Sequence, residues 1–184
     1  AATKKSNEMM AHSYSHINKI PITVMRFFTV YGPWGRPDMA LFKFVNLISK
    51  DQKIDVFNHG KMKRDFTYVD DVAKAISLLS KIIPNNDKKI INDSLSDVAP
   101  FRVVNIGNSR SIKLLDYITE IEDAVGKKAK KNFLDIQKGD VEETLSDNTL
   151  LYDLTGFKPK INFKTGIKNF VQWYNFFYGF KNES

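Results

Sequence analysis

Three short runs of the chain place polar and charged side chains where an α/β protein can bind a ligand. In the first run, residues 26–40, the Thr29 hydroxyl lies near the end of a strongly apolar stretch, and Arg36 lies on a loop that Pro33 and Pro37 stiffen. Ligands of open α/β sheets bind at the carboxyl ends of strands. Thr29 and Arg36 are therefore candidate ligand contacts, although their spacing is equally typical of an ordinary strand and turn with a solvated arginine.

The second and third runs add a cation and a carboxylate. Residues 61–71 place Arg64 at the start of a strand, where a guanidinium can bind two phosphate oxygens at once. The alternative is a surface charge pair between Arg64 and Asp65, which would contribute little. Residues 137–140 place the Asp140 carboxylate after a glycine turn, where it can accept hydrogen bonds from a ribose diol. An ordinary loop is the simpler interpretation of this third run considered by itself.

Composition excludes several other classes of site and partner. The formal net charge is +7, but the lysines are scattered, without a basic block interleaved with aromatic residues, so a solvated surface is favoured over a nucleic-acid partner. No apolar run approaches the roughly 20 residues of a membrane span. The absence of cysteine fits the cytoplasm, and neither His12 nor His59 has partners at metal-ligand spacing. We expect no metal, with His12 on a helix surface and His59 in a turn.

The spacing of apolar residues predicts alternating helices and strands, which favours an α/β fold. A helix is expected over residues 3–18, and one strand, covered on both faces, over residues 22–31. The later elements are predicted as follows: a helix capped by Asp38 with Leu41, Phe44, Val45 and Ile48 inward; a strand Ile54–Phe57; an extended piece 64–69; a helix capped by Asp70 or Asp71; a surface loop 84–96; a strand 101–106; a helix opened by Ser111 and closed by Gly126; a strand near 132–136; a helix 147–154 ending at Gly156; and an aromatic helix 166–178.

Taken in order, the three runs resemble the UDP-glucuronate 4-epimerases of the extended short-chain dehydrogenase/reductase family. The resemblance covers the whole chain, and it implies the C-terminal part of an NAD(P)-binding Rossmann-like protein with a smaller α/β substrate-binding lobe. Residues 1–31 would be the last helix and strand of the Rossmann domain, residues 32–64 and 108–184 the substrate lobe, and residues 65–107 a segment that packs back on the Rossmann domain. We expect the numbering to begin inside a longer protein, because Ala1 opens directly into a helical pattern.

The resemblance also implies individual roles. Residues 1–4 resemble the tail of a Tyr-x-x-x-Lys motif whose tyrosine would precede Ala1, so Lys4 would be both catalytic and cofactor-binding. NAD would be bound mainly by the N-terminal half, since the chain has no G-x-G-x-x-G turn. The substrate-binding residues implied are Thr29 and Arg36 around the sugar, Arg64 on the diphosphate, Phe57 in the strand beside the uracil, and Asp140 on the uridine ribose with Gln137 nearby. Related epimerases usually carry asparagine at the position of Thr29, which indicates an acidic sugar.

The function implied is inversion of C4 of UDP-glucuronate to UDP-galacturonate through a 4-keto intermediate, as a step of polysaccharide biosynthesis. The chain by itself is expected to be inactive, and the first helix is expected to join a homodimer interface. Two enzymatic alternatives are UDP-glucuronate decarboxylation and another UDP-sugar epimerase or dehydratase reaction. A third alternative, from a different class, is a non-catalytic module that binds nucleotide-sugars or other anions.

Overall fold

A computed structural model of the chain describes residues 1–85 and 89–179. Within these residues helices and strands alternate, as the apolar spacing predicts. The helices are α1 (Ala2–Asn18), α2 (Ala40–Ser49), α3 (Val69–Leu79), α4 (Leu114–Val125), α5 (Thr149–Thr155) and α6 (Phe163–Tyr178). The strands are β1 (Ile22–Phe27), β2 (Thr29–Tyr31), β3 (Lys53–Val56), β4 (Lys63–Tyr68), β5 (Phe101–Ile106), β6 (Ser111–Lys113) and β7 (Lys130–Phe133).

The strands form three small sheets. β1 and β5 are parallel, in register from Ile22 opposite Phe101 to Phe27 opposite Ile106. The second sheet has the order β2-β4-β6, with β2 parallel and β6 antiparallel to β4. β3 and β7 form a third, parallel pair. The second sheet positions the candidate site, because β2 begins at Thr29 and β4 carries Arg64.

The prediction of one strand over residues 22–31, covered on both faces, is wrong in two respects. The chain leaves the first sheet after Phe27 and enters the second at Thr29, so a single residue, Phe28, lies between two strands of different sheets. β1 is also half-buried to exposed rather than covered on both faces. An almost continuously apolar run does not reveal this change of sheet, because both strands need apolar residues.

Two apolar clusters hold these elements together. The larger one lies between α2, α4, α6 and the second sheet, and it includes Tyr31, Phe66 and Tyr117, whose rings are buried. The Phe66 and Tyr117 rings are stacked with their centroids 4.4 Å apart. The smaller cluster joins α3, β5 and α5 through residues such as Val72 and Leu151. The predicted inward positions of α2, namely Leu41, Phe44, Val45 and Ile48, are all buried, which confirms the helical spacing there.

The predicted starts of α2 and α3 are wrong, because the aspartates expected to cap these helices form hydrogen bonds with other groups. α2 begins after Met39 without a side-chain cap, and Asp38 instead pairs with Arg36. α3 begins at Val69, which places Asp70 and Asp71 inside its first turn; the Asp71 carboxylate accepts hydrogen bonds from the backbone further along the chain.

The predicted helix start at Ser111 and the strand assignment of Phe57 are also wrong. Ser111 lies in β6, which pairs with β4, and the helix begins at Leu114. Phe57 opens a 3₁₀ turn, Phe57–Gly60, in which Asn58 and His59 have φ of 48° and 47°. Gly126 and Gly156 end α4 and α5 in the left-handed conformation, as predicted. The predicted loop 84–96 includes residues 86–88, which lie outside the described residues.

Candidate functional site

An open cleft of about 610 Å³ brings the Thr29 and Arg64 side chains to one place. Its walls come from the end of β1, the start of β2, the start of β4, Asn105 on β5 and Thr144. Thr29 lies opposite Phe66 in the parallel register of β2 and β4, two residues along from Arg64. The hydroxyl and the guanidinium that the sequence places 35 positions apart therefore face the same volume.

A second cavity, of about 490 Å³, adjoins the cleft, and Phe28 and Thr29 line both. The loop 32–36 forms much of its wall, and Arg36 lies at its edge. The Arg36 guanidinium donates to both carboxylate oxygens of Asp38, at 3.0 and 2.8 Å, and these hydrogen bonds lower the pKa of Asp38. Because both side chains are largely exposed, Arg36 can leave this pair at little cost.

Arg64 and Asp140 form an ion pair at the start of β4. The Arg64 Nη2 donates to Asp140 Oδ1 at 2.7 Å, while Nη1 donates to the carbonyl oxygens of Lys63 and Glu142. The Arg64 side chain is 20% exposed and that of Asp140 is 38% exposed. The alternative pairing of Arg64 with Asp65 is wrong, because Asp65 is fully buried and accepts hydrogen bonds from other residues. The structure thus joins two of the candidate residues directly, across 76 positions of sequence.

Phe57 and Gln137 lie on the segments that flank this ion pair. The turn that Phe57 opens is tied to the segment before Gln137, since the His59 amide donates to the Leu134 carbonyl at 3.1 Å. The Gln137 carbonyl accepts a hydrogen bond from the Asp140 amide at 3.1 Å, which closes the turn around Gly139. Phe57 is half-buried and Gln137 is exposed. Neither side chain lines the cleft shared by Thr29 and Arg64.

Lys4 lies apart from the other candidates, exposed in the first turn of α1. One helical turn later, Glu8 accepts two hydrogen bonds of 2.7 Å from the Arg26 guanidinium, and Arg26 lines the cleft. The hydrogen bonds from Arg26, and next from Lys5, lower the pKa of Glu8 to about 2. Sequence reasoning missed this pair. The local sequence indicates only the contact of Glu8 with Lys5, three residues earlier on the same helix, and carries no signal of Arg26.

The described part of the chain has neither a cluster of metal ligands nor a helix that could cross a membrane. No group of three or more histidine, aspartate or glutamate side chains there is arranged to hold a metal ion. No helix within residues 1–85 and 89–179 is both long enough and apolar enough to span a bilayer. His12 is not the surface residue predicted: it is half-buried, 2.9 Å from the Ser96 hydroxyl and edge-on to the Phe101 ring. His59 lies in the predicted turn, 3.0 Å from Asp135.

The class of protein that this α/β fold and cleft define is confirmed by comparison with known families. Residues 1–92 match the NAD dependent epimerase/dehydratase family, and the chain belongs to that family. Because the matched half contains Lys4, Thr29 and Arg64, the family assignment rests on the part of the chain that carries most of the candidate site.

Individual relatives narrow the resemblance. The chain is 50% identical to a probable UDP-glucuronate 4-epimerase of Rhizobium meliloti over 179 residues. The aligned region covers 95% of this chain and 52% of the relative. It is 52% identical over 181 residues to protein CapI of Staphylococcus aureus, covering 97% and 54%. The chain thus spans about half the length of the curated relatives it matches.

Solved structures show the same fold. A UDP-glucuronic acid 4-epimerase from Bacillus cereus, solved in complex with UDP-glucuronic acid and NAD, superposes with a TM-score of 0.83 at 31% identity. That match covers 96% of this chain and 52% of the Bacillus protein. The likeness confirms the Rossmann-like α/β fold class that the sequence predicts.

Proposed function

We propose that this chain is the nucleotide-sugar-binding part of an NAD-dependent epimerase that inverts C4 of UDP-glucuronate to give UDP-galacturonate. The observation that carries the proposal is the cleft in which Thr29 and Arg64 face one volume, with Asp140 bound to Arg64. Family membership and the names of the relatives support the same chemistry.

The proposed contacts follow from the chemistry of each side chain. Arg64 offers a planar cation to a diphosphate, and Asp140 offers acceptors to ribose hydroxyls. Both groups must exchange part of their mutual ion pair for ligand contacts, which their partial exposure permits. Thr29 and Arg36, which both line the adjoining cavity, contact the sugar, with Thr29 near its carboxylate. Phe57 and Gln137 lie beside the uridine.

Lys4 is the residue of this chain proposed to act next to NAD. Its exposed ammonium on the first turn of α1 is a donor suited to ribose hydroxyls, and its charge would favour the ionised form of a neighbouring tyrosine. NAD supplies the redox chemistry when bound. The residues of this chain would bind the nucleotide-sugar and orient its C4, and Lys4 would keep the neighbouring tyrosine, the group that transfers the proton, in its ionised form.

The division of the chain and its assembly are part of the proposal. Residues 1–31 complete a dinucleotide-binding domain, residues 32–64 and 108–184 form the substrate lobe, and residues 65–107 pack against that domain. A cytoplasmic homodimer that serves polysaccharide biosynthesis is proposed, with α1 in the interface. The exposed apolar side chains of α1, among them Met10, Tyr14 and Ile17 at 61–75% exposure, support that surface.

Ligand binding tests the proposal on the protein itself. Isothermal titration calorimetry with UDP, UDP-glucuronate and UDP-glucose should give binding for all three and the highest affinity for UDP-glucuronate. Arg64→Lys retains the positive charge but loses the planar guanidinium that can donate two hydrogen bonds to one phosphate, so UDP affinity should fall about tenfold. Arg110→Lys makes the same chemical change at an exposed position outside the cleft and should leave UDP affinity unchanged. Equal effects of the two substitutions would contradict the assignment of Arg64.

Product analysis tests the reaction in a protein that spans the full length of the relatives. UDP-galacturonate formed from UDP-glucuronate, without loss of carbon, is the expected result. Release of carbon dioxide with a UDP-pentose would identify a decarboxylase instead. Thr29→Asn should shift the preference from UDP-glucuronate towards UDP-glucose. A preference that does not move would remove Thr29 from the sugar contacts.

A further inference from the structure

Asp65 is a fully buried carboxylate that the proposed contacts do not use. It accepts four hydrogen bonds and has no cationic partner among the described residues. Oδ1 accepts from the Asn108 amide at 2.8 Å. Oδ2 accepts from the Ser109 amide at 3.0 Å, the Ser146 amide at 2.9 Å and the Ser146 hydroxyl at 2.6 Å. One side chain therefore fastens two loops that are far apart in sequence to β4.

The donor set requires a carboxylate at this position. An ionised carboxylate only accepts hydrogen bonds, and here each of its oxygens faces at least one N–H. An asparagine at position 65 would turn its amide group towards a backbone N–H in either orientation, leaving buried donors without acceptors. The fit is also close in space. A Cβ on Gly107 would lie 2.5 Å from Ser146 Cβ, nearer still to its hydroxyl, and 3.0 Å from Asp65 Oδ2.

The segment that Asp65 fastens is the one that carries Asp140. Residues 135–143 are all exposed, and Ser146 is the first buried residue after them. The segment lies along β4 through the Lys63 amide to the Glu142 carbonyl, 2.8 Å, and the Thr144 amide to the Lys63 carbonyl, 3.2 Å. An ion pair between Lys63 and Glu143 adds an exposed contact along the run, so the buried attachment of the run lies at its Ser146 end. Asp65 supplies the buried end point.

Arg64 is coupled to the same arrangement. Successive residues of a strand point to opposite faces, so Asp65 turns inward where Arg64 turns towards the cleft. The Arg64 side chain then bonds to Glu142 and Asp140 on the segment whose far end Asp65 holds. Any shift of residues 140–146 would change the distance between the guanidinium and its carboxylate partner.

We propose that Asp65 is a positioning residue for nucleotide binding: by fastening Ser146 and the Asn108–Ser109 turn to β4, it sets where Arg64 and Asp140 meet the diphosphate and ribose. This inference rests on the proposed function of Arg64 and Asp140. Asp65 itself touches neither the nucleotide nor the sugar.

The test is UDP affinity, measured by calorimetry well below the unfolding temperature. Asp65→Asn should weaken UDP binding about tenfold, and Ser146→Ala, which removes only the hydroxyl donor, should weaken it about threefold. Asp71→Asn is the matched control, because Asp71 is also buried and accepts two backbone hydrogen bonds, from Lys160 at 3.0 Å and Ile161 at 2.9 Å, away from the cleft. Its UDP affinity should stay within twofold of wild type.

A double-mutant cycle separates positioning from general destabilisation. If Asp65 acts through Arg64 and Asp140, then Asp65→Asn should cause a smaller loss of UDP affinity in an Arg64→Ala background than in the wild-type protein. The same loss in both backgrounds, or equal affinities of Asp65→Asn and Asp71→Asn, would overturn the inference. Should Asp65→Asn fail to fold, Ser146→Ala decides, and an affinity equal to that of Asp71→Asn would count against positioning. A wild-type protein that does not bind UDP would contradict the proposed function itself, and the positioning with it.

Discussion

Gly166, in α6, lies against the Tyr31 ring at a point where no side chain fits. A Cβ built on Gly166 would be 2.7 Å from both Cε2 and Cζ of Tyr31, and nearer still to its hydroxyl. Carbon atoms make their best contact at roughly 3.5 Å, so Gly166→Ala brings the two groups about 0.8 Å too close. The ring cannot move away freely, since Phe66, Tyr68 and Phe163 surround it with ring centroids 5.6–6.0 Å away.

Two opposing effects set the size of the change in stability. Alanine is favoured over glycine inside a helix by about 1 kcal/mol. Overpacking a filled core costs about 1–3 kcal/mol, and the contact here involves a rigid ring rather than a flexible chain end, which favours the upper part of that range. We expect Gly166→Ala to lower the free energy of unfolding by about 1–2 kcal/mol. For a chain of this length the melting temperature would fall by roughly 2–8 °C.

Urea unfolding followed by circular dichroism measures the effect. Thr165→Ala, at the exposed neighbouring position of α6, is the control and should be neutral or slightly stabilising. Tyr31→Phe removes the atom that lies closest to the added methyl group, so the cost of Gly166→Ala should be smaller in that background. A Gly166→Ala protein at least as stable as wild type, or a cost that Tyr31→Phe leaves unchanged, would refute the reasoning.

Three further substitutions test other contacts. Glu8→Gln removes a carboxylate whose pKa is about 2 in the folded state and about 4.3 in the unfolded state. The ion pair with Arg26 therefore stabilises the protein fully above about pH 5, and this contribution is lost as the pH falls towards 2. The difference in unfolding free energy between wild type and Glu8→Gln should therefore shrink across that interval in a pH series of urea titrations; a difference independent of pH would contradict it. Asp93→Ala leaves the buried Arg102 guanidinium, now bound through two hydrogen bonds of 2.9 Å, without a partner, and should cost about 3–5 kcal/mol by urea unfolding. Tyr14→Lys places a charge on the exposed apolar face of α1, so analytical ultracentrifugation should show a dimer converted to monomers; a wild-type monomer would exclude the proposed interface.

Periodicity predicts the elements whose burial depends on local spacing. The four inward positions of α2 follow from the 3.6-residue repeat, and Gly126 and Gly156 end their helices because glycine reaches the left-handed conformation easily. Capping was harder to predict. Asp38 pairs with Arg36, two residues before it, and Asp71 accepts from the backbone before α6, which only the folded chain brings near.

The candidate site was predictable as a set of residue types but not as an arrangement. Arg64, Thr29 and Asp140 are identifiable from the runs that contain them, and the structure places them around β2 and β4. The residues that fix their geometry were not found. From the sequence alone, Asp65 is interpreted as the partner of Arg64 in a surface charge pair, whereas in the structure it is buried. Glu8 is connected to the cleft only through its hydrogen bonds with Arg26. Long-range hydrogen bonds leave no periodic pattern in a sequence.

The single residue between β1 and β2, Phe28, fixes the distance along the chain between Arg26 and Thr29, which both line the cleft. Arg26 is held by α1 in one sheet while Thr29 begins the other, and only two residues separate them. One residue inserted at Phe28 must either bulge out or shift β2 by one residue against β4, and a shifted β2 would turn the Thr29 side chain to the opposite face of its sheet, away from Arg64. The step from Arg26 to Thr29 should therefore not change in length.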